Sequence, residues 1–278
     1  MQKKPIRVSL QKKTGARTTP VRRGSWQRRT AIAIGVCVWT VFWFYVTQLA
    51  VQLLLQGLLQ LGVPLASYNK VAVQAILTAL VYVATIFCVL YIPAKWYKKK
   101  VTLHDIGMEQ RLPTWRDMGI APLVYIASLL VSAGVLIIVS KLLPHFDITQ
   151  TQAVGFTATT ITQRYELLLV YVTLAVIAPV AEELLFRGYL FGRVRQQLSA
   201  AATIVLTAVV FSVLHLGIGQ LESLQWNIAI ATFVLGLSIG IAREVTGSVW
   251  AGIIIHMIQN TIAFLVLFAV PVIFRIGL

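Results

Sequence analysis

Two adjacent glutamates, Glu182 and Glu183, stand inside a long apolar run that begins near Leu167 and continues through Pro179 to Phe191. A carboxylate at the centre of a bilayer costs roughly 2.5–3.5 kcal/mol on insertion scales, so an ionisable residue there marks a functional site and needs a partner. Arg187 follows Glu183 by four residues, in the favourable acid-before-base order on one helix face. Glu182 is rotated from Glu183 by roughly 100° around a helix, so the two carboxylates can serve different ends. Three further polar residues stand in apolar runs. His215 ends the string Phe211-Ser212-Val213-Leu214-His215, and His256 precedes Asn260 by four residues, which places both on one face.

Peptide hydrolysis needs an activated water and donors for the developing oxyanion. A carboxylate buried among apolar groups is a stronger base than one in water. These residue types meet both needs. Glu182 takes the proton of a water, His215 holds the same water, and His256 and the Asn260 amide face the oxyanion. Glu183 and Arg187 form a supporting ion pair. The plainer alternatives are an ion pair at a helix end, and histidine and asparagine bonds that only join helices. Phe211 reads as packing.

The elements that carry these residues are membrane helices. Of the 278 residues, 58% are hydrophobic and 12% charged, whereas a soluble domain carries about twice that charged fraction. Mean hydropathy is +0.81. No stretch between apolar runs is rich enough for a separate soluble core. Runs at about 31–55, 71–92, 120–143, 167–191, 200–216, 228–242 and 249–270 read as spans, against a requirement of about 20 apolar residues each. The fold class is an all-α polytopic membrane bundle of seven transmembrane helices, or eight if the first or fourth is broken. Pro179 predicts a kink. The two cysteines, Cys37 and Cys88, lie in spans and allow neither a disulfide framework nor a metal spacing.

Residues 1–30 hold ten Lys and Arg and no acid, out of a net charge of +15. They read as a disordered basic cytoplasmic tail that meets anionic lipid and fixes orientation, rather than a nucleic-acid-binding arm. Residues 31–160 then form N-terminal transmembrane helices, and 161–278 a catalytic transmembrane core. With the tail inside, the other cytoplasmic segments hold Lys95, Lys98, Lys99, Lys100, Arg111 and Arg116, then Arg193 and Arg195, then Arg243. The opposite loops are poor in Lys and Arg, so the N-terminus is cytoplasmic. At the helical rise per residue, Glu182 lies ~16 Å from Arg193, His215 ~22 Å from Ala200 and His256 ~12 Å from Ser248. All fall within a hydrocarbon core of about 30 Å. Glu182 and His256 lie nearer the cytoplasmic face, which predicts cleavage near that boundary.

Three strings resemble the motifs of the CPBP family of intramembrane proteases, which includes the type II CAAX prenyl endopeptidases. They are Glu182-Glu183-Leu184-Leu185-Phe186-Arg187 with Gly188-Tyr189-Leu190 after it, Phe211 with His215, and His256 with Asn260. Order and spacing agree over residues 165–265. The resemblance implies an intramembrane endopeptidase acting on a membrane-associated protein or peptide. It also implies prenylated C-terminal motifs as substrates in eukaryotic members, and peptide maturation, self-immunity or surface-protein regulation in bacterial ones. The family has been described both with and without metal. With zinc, the ligands are Glu182, His215 and His256, a two-histidine, one-carboxylate set. The helix-borne His-Glu-x-x-His of common zinc proteases is missing, and no cofactor is the favoured reading. A transporter with an intramembrane Glu/His proton relay is one alternative, weakened because no paired repeat is seen. A non-catalytic immunity or scaffold protein is another, weakened because the motif residues are intact. Composition and tail suit a bacterial plasma membrane.

Overall fold

A computed structural model describes residues 24–276, apart from 99, 110–111, 153 and 218–223. Most of the basic tail lies outside the described residues. The described chain is helical, with α1 at Trp26–Gln60, α2 at Lys70–Trp96, α3 at Trp115–Leu142, α4 at Arg164–Arg195, α5 at Ala200–Leu214, α6 at Trp226–Thr246 and α7 at Trp250–Arg275. Their starts follow from capping chemistry. Ser25, Asn69 and Ser199 each accept the backbone N–H three residues on, and Thr114 with Asp117 forms a capping box before α3.

Six of these helices are long and apolar enough to cross a membrane, and α5 is shorter. At 15 residues, α5 covers only about 22 Å. The fifth expected span therefore stops inside the bundle. His215 is its capping residue, and Gly217 follows with φ +71°, a left-handed conformation that glycine adopts without strain. The chain then returns as α6.

The polarity of the bundle is inverted relative to a soluble protein. Leu123, Leu130 and Ile138 of α3 are exposed, as are Ile76 and Val83 of α2. The buried set includes Thr47, Thr85, Ser128, Glu182, Glu183, Arg187 and His256. An apolar exterior of this kind fits hydrocarbon surroundings. Inside, α5 packs on α6, α3 packs on α6 and α7, and α1 packs on α2. Three apolar clusters fill the bundle, two of them including residues of α4. One is built around Phe186, Leu190 and Phe211, a second around Ile161, Val170 and Phe264, and a third around Tyr125, Ile239 and Ile255.

One end of the bundle is tied by charge. Arg195 of α4 forks onto Glu244 of α6 at 3.0–3.2 Å. Arg193 donates to Asp105 at 2.7 Å, in the short turn Leu103–Ile106. Burial acts to raise the Asp105 carboxyl. Hydrogen bonds from Thr102 and the charges of Arg193 and His104 outweigh it, and the carboxyl sits below its usual range. The turn lies against Gly188, where any side chain would run into the Ile106 carbonyl.

Candidate active site

The glutamates sit on an irregular stretch of α4. The segment Ala178–Glu183 is α-helical, but Val172–Ile177 before it and Leu184–Leu190 after it are π-helical. Such wide turns cluster at functional sites. The break expected at Pro179 takes this form. Proline has no N–H to donate. In the i→i+5 pattern of a π turn, the carbonyl left without its partner is that of Leu174. Asn260 of α7 supplies the missing donor, with Nδ2 2.8 Å from the Leu174 oxygen. Sequence reasoning set the Asn260 amide toward an oxyanion, but one of its two hydrogens clasps α7 to α4.

Glu183 and Arg187 form the pair that their spacing predicted. Arg187 Nη1 donates to Glu183 Oε1 at 2.8 Å, with side chains 1% and 0% exposed. Arg187 Nη2 reaches the Gly236 carbonyl at 3.4 Å, and the guanidinium lies over the Phe211 ring, 4.5 Å from its centroid, where the ring face attracts a cation. Glu183 Oε1 also stands 3.1 Å from His256 Nδ1. One buried carboxylate thus orients both a cation and a histidine. Gly252 makes room for it, since a Cβ there would come within 2.8 Å of Glu183 Oε2.

Glu182 turns the other way, as the helical rotation required. Its Oε1 accepts from Tyr82 Oη at 2.5 Å. Its Oε2 is buried with no hydrogen-bond partner among the described residues. His215 Nε2 and His256 Nε2 each lie 3.9 Å from that free oxygen. His215 Nδ1 lies 2.8 Å from the Phe211 carbonyl. A carbonyl only accepts, so the hydrogen is on Nδ1 and the neutral ring presents a lone pair at Nε2. A separation of 3.9 Å is too long for a direct hydrogen bond, but it suits one shared water about 2.8 Å from each atom.

The residues present can be tested against zinc. Two imidazole Nε2 atoms and a carboxylate are catalytic zinc donors, and both rings have Nδ1 tied to a carbonyl or carboxylate, as zinc-bound imidazoles do. The spacing is wider than zinc uses. Ligand atoms around a tetrahedral ion with bonds of 2.0–2.1 Å stand about 3.3 Å apart. Among the described residues, no group of His, Cys, Asp and Glu stands at metal-holding spacing. The donor types fit, and the distances fit water.

A cavity of about 1010 Å³ adjoins the free oxygen, lined by Tyr82, Glu182, His215, His256 and Asn260 among others. It occupies the half of the bundle where α1 and α3 end and α2 begins, reaching the loop residues Gln152 and Phe156. Arg193, Arg195 and Asp105 lie at the opposite end. The open space beside Glu182 lies on the side away from Arg193 and Arg195, whereas the sequence reading placed access on the side of the basic residues. All seven motif residues thus meet at one place. Sequence reasoning missed Tyr82 and Gly252. Tyr82 comes from an apolar run with no spacing signal. Gly252 lies four residues before His256, on the same face, which is a signal visible only once His256 is known to meet Glu183. Phe211 was read as packing, and it packs against Arg187, His215 and His256 together.

Residues 164–262 match the family model described as Type II CAAX prenyl endopeptidase Rce1-like. The match agrees with the resemblance carried by the three motifs. The match takes in α4 to the first half of α7 and every motif residue, and leaves α1, α2 and α3 outside it. No curated protein and no solved structure matches the chain.

Proposed function

We propose, from the family of residues 164–262 and the site they build, that the chain is an intramembrane endopeptidase in which Glu182 activates water. The observation that carries the reading is the free, buried Glu182 Oε2 with two histidine Nε2 atoms at 3.9 Å, supplied by three helices. A water there donates one hydrogen to Oε2 and the other to the lone pair on His215 Nε2. Its oxygen attacks the scissile carbonyl as Glu182 takes the proton. Glu182 then delivers that proton to the leaving nitrogen. Tyr82 holds Oε1, so that Oε2 is the oxygen presented to the water.

His256 serves the oxyanion. Glu183 holds the ring through Nδ1, which leaves Nε2 facing the free Glu182 oxygen and the developing charge. The second Asn260 hydrogen assists. Glu182→Gln tests the reading. It removes the base while keeping shape, so cleavage falls by about 10²-fold or more, and the protein still purifies folded. Substantial residual cleavage in a clean preparation overturns the assignment.

Zinc held by Glu182, His215 and His256 is the second reading, favoured by the donor types. It would polarise the scissile carbonyl and acidify its water. Activity that survives exhaustive chelation, with far less than one zinc per chain, supports the water-only form. Activity lost on chelation and restored by zinc supports the other.

Basic residues favour the cytoplasmic side, so the end holding Arg193, Arg195 and Arg243 faces the cytoplasm and the N-terminus is inside a bacterial plasma membrane. The tail binds anionic lipid. In this orientation the cavity faces outward. Substrates, membrane-associated proteins or peptides, are cut in the outer half of the bilayer, and mapping the cut bond checks this.

A further inference from the structure

Part of the cavity wall comes from α1, α2 and α3, the helices outside the family match. Each contributes two uncharged polar residues four apart: Gln48 and Gln52, Gln74 and Thr78, Ser128 and Ser132. Four apart means one helix face, and on each helix that face lines the cavity. Helices whose other faces are apolar have therefore turned amide and hydroxyl groups inward in pairs. Among the described lining residues there is no lysine, arginine or aspartate, and Glu182 is the only glutamate. Arg187, the nearest buried cation in α4, is committed to Glu183 and does not line the cavity.

These facts constrain what can be bound. A peptide bond can meet Glu182 only where its segment has lost helical hydrogen bonds. In an apolar medium each freed N–H and C=O then costs several kcal/mol unless paired. A glutamine amide both donates and accepts, and a serine or threonine hydroxyl does likewise, so this wall can serve both kinds of freed group. A terminal carboxylate would enter a space whose one fixed charge is negative, with no arginine or lysine to meet it. The cleavage pattern implied for prenylated C-terminal motifs places such a carboxylate close to the cut bond.

We propose that this cavity binds an unwound, uncharged stretch internal to a membrane-embedded peptide chain, with the paired residues of α1, α2 and α3 receiving its backbone. The proposal rests on the protease reading and goes further, because it names the substrate class and assigns recognition to the helices outside the catalytic domain.

Binding can be measured apart from catalysis. The full chain carrying Glu182→Gln is placed in lipid nanodiscs and photo-crosslinked to labelled peptides with the reactive group at their centre. The first peptide is an apolar segment of about 20 residues with Gly-Ser-Gly at its centre and a C-terminal amide. The second and third carry Lys or Asp at the centre, and the fourth is a short farnesyl-cysteine peptide with a free carboxylate. The first should crosslink saturably to cavity residues and bind about tenfold or more tightly than the other three, because each of those buries an unpaired charge. Gln48→Leu with Gln52→Leu should weaken the first peptide by about tenfold, as unpaired backbone groups are left behind, with no change in thermal midpoint. No saturable crosslinking of the first peptide, equal binding of a charged or farnesylated one, or indifference to the glutamine substitutions overturns the proposal. Cleavage of the first peptide by the wild-type chain, lost in Glu182→Gln, separately tests the protease reading.

Discussion

The buried pair of Glu183 and Arg187 sets up a double-mutant cycle whose outcome follows from the structure. Both side chains are essentially unexposed, at 0% and 1%, and the Nη1–Oε1 distance is 2.8 Å. Arg187→Gln leaves Glu183 charged among Gly252, Ile239 and His256, with no cation in contact. Breaking a buried pair from one side typically costs about 3–5 kcal/mol. Glu183→Gln strands the guanidinium over Phe211 and costs a similar amount. At about 2–4 °C per kcal/mol, each single variant should lower the thermal midpoint by about 6–20 °C. The double variant carries no stranded charge. The amide introduced by Glu183→Gln keeps an oxygen for His256 Nδ1, and the one introduced by Arg187→Gln still reaches toward Gly236. The double variant should therefore melt well above either single one, a non-additivity expected for residues in direct contact. The assay is a thermal melt of purified protein in detergent, with all four forms side by side. Losses that simply add would refute the reasoning, because they would mean that the two residues are stabilised by separate partners.

Tyr82→Phe removes the 2.5 Å donor from Glu182 Oε1 and lets the carboxylate turn. Steady-state kinetics should show kcat down by about tenfold, as for a lost hydrogen bond to a charged group, with KM nearly constant. An unchanged kcat refutes the positioning role. Asn260→Ala leaves the Leu174 carbonyl unpaired and should cost about 1–3 kcal/mol of stability, read by the same thermal melt. An unchanged midpoint would mean that the clasp contributes nothing. Asp105, whose carboxyl sits below its usual range, gives a pH signature. A lowered folded value means that the stabilisation is complete above the ordinary aspartate range and fades as pH falls through the folded value. Wild type should exceed Asp105→Asn by about 0.5–1 kcal/mol at neutral pH, as for a partly exposed ion pair. Melts compared across acidic pH should show that advantage vanish toward the acid end.

The helical membrane class, the order of the helices and the polar residues that the bundle gathers were legible in the sequence because each depends on local chemistry. Apolar length specifies a span, and a charge inside it is too costly to be incidental. A spacing of four puts Glu183 with Arg187 on one face and His256 with Asn260 on another, whatever surrounds them. Adjacency turned Glu182 away from Glu183, so their separate partners followed from rotation alone. Partners on other helices were not legible, since contact across the bundle has no period in the chain. Tyr82 meets Glu182 from 100 residues away, and Gly252 clears space for Glu183 from another helix. The fate of Asn260 depended on which carbonyl the π turn around Pro179 left unpaired. The length of α5 fixed His215 at the site rather than beyond it. The side on which the cavity lies was likewise decided by packing. Rise per residue gives the depth of a group but not the direction of the empty space beside it, and that direction is set by how the other helices pack.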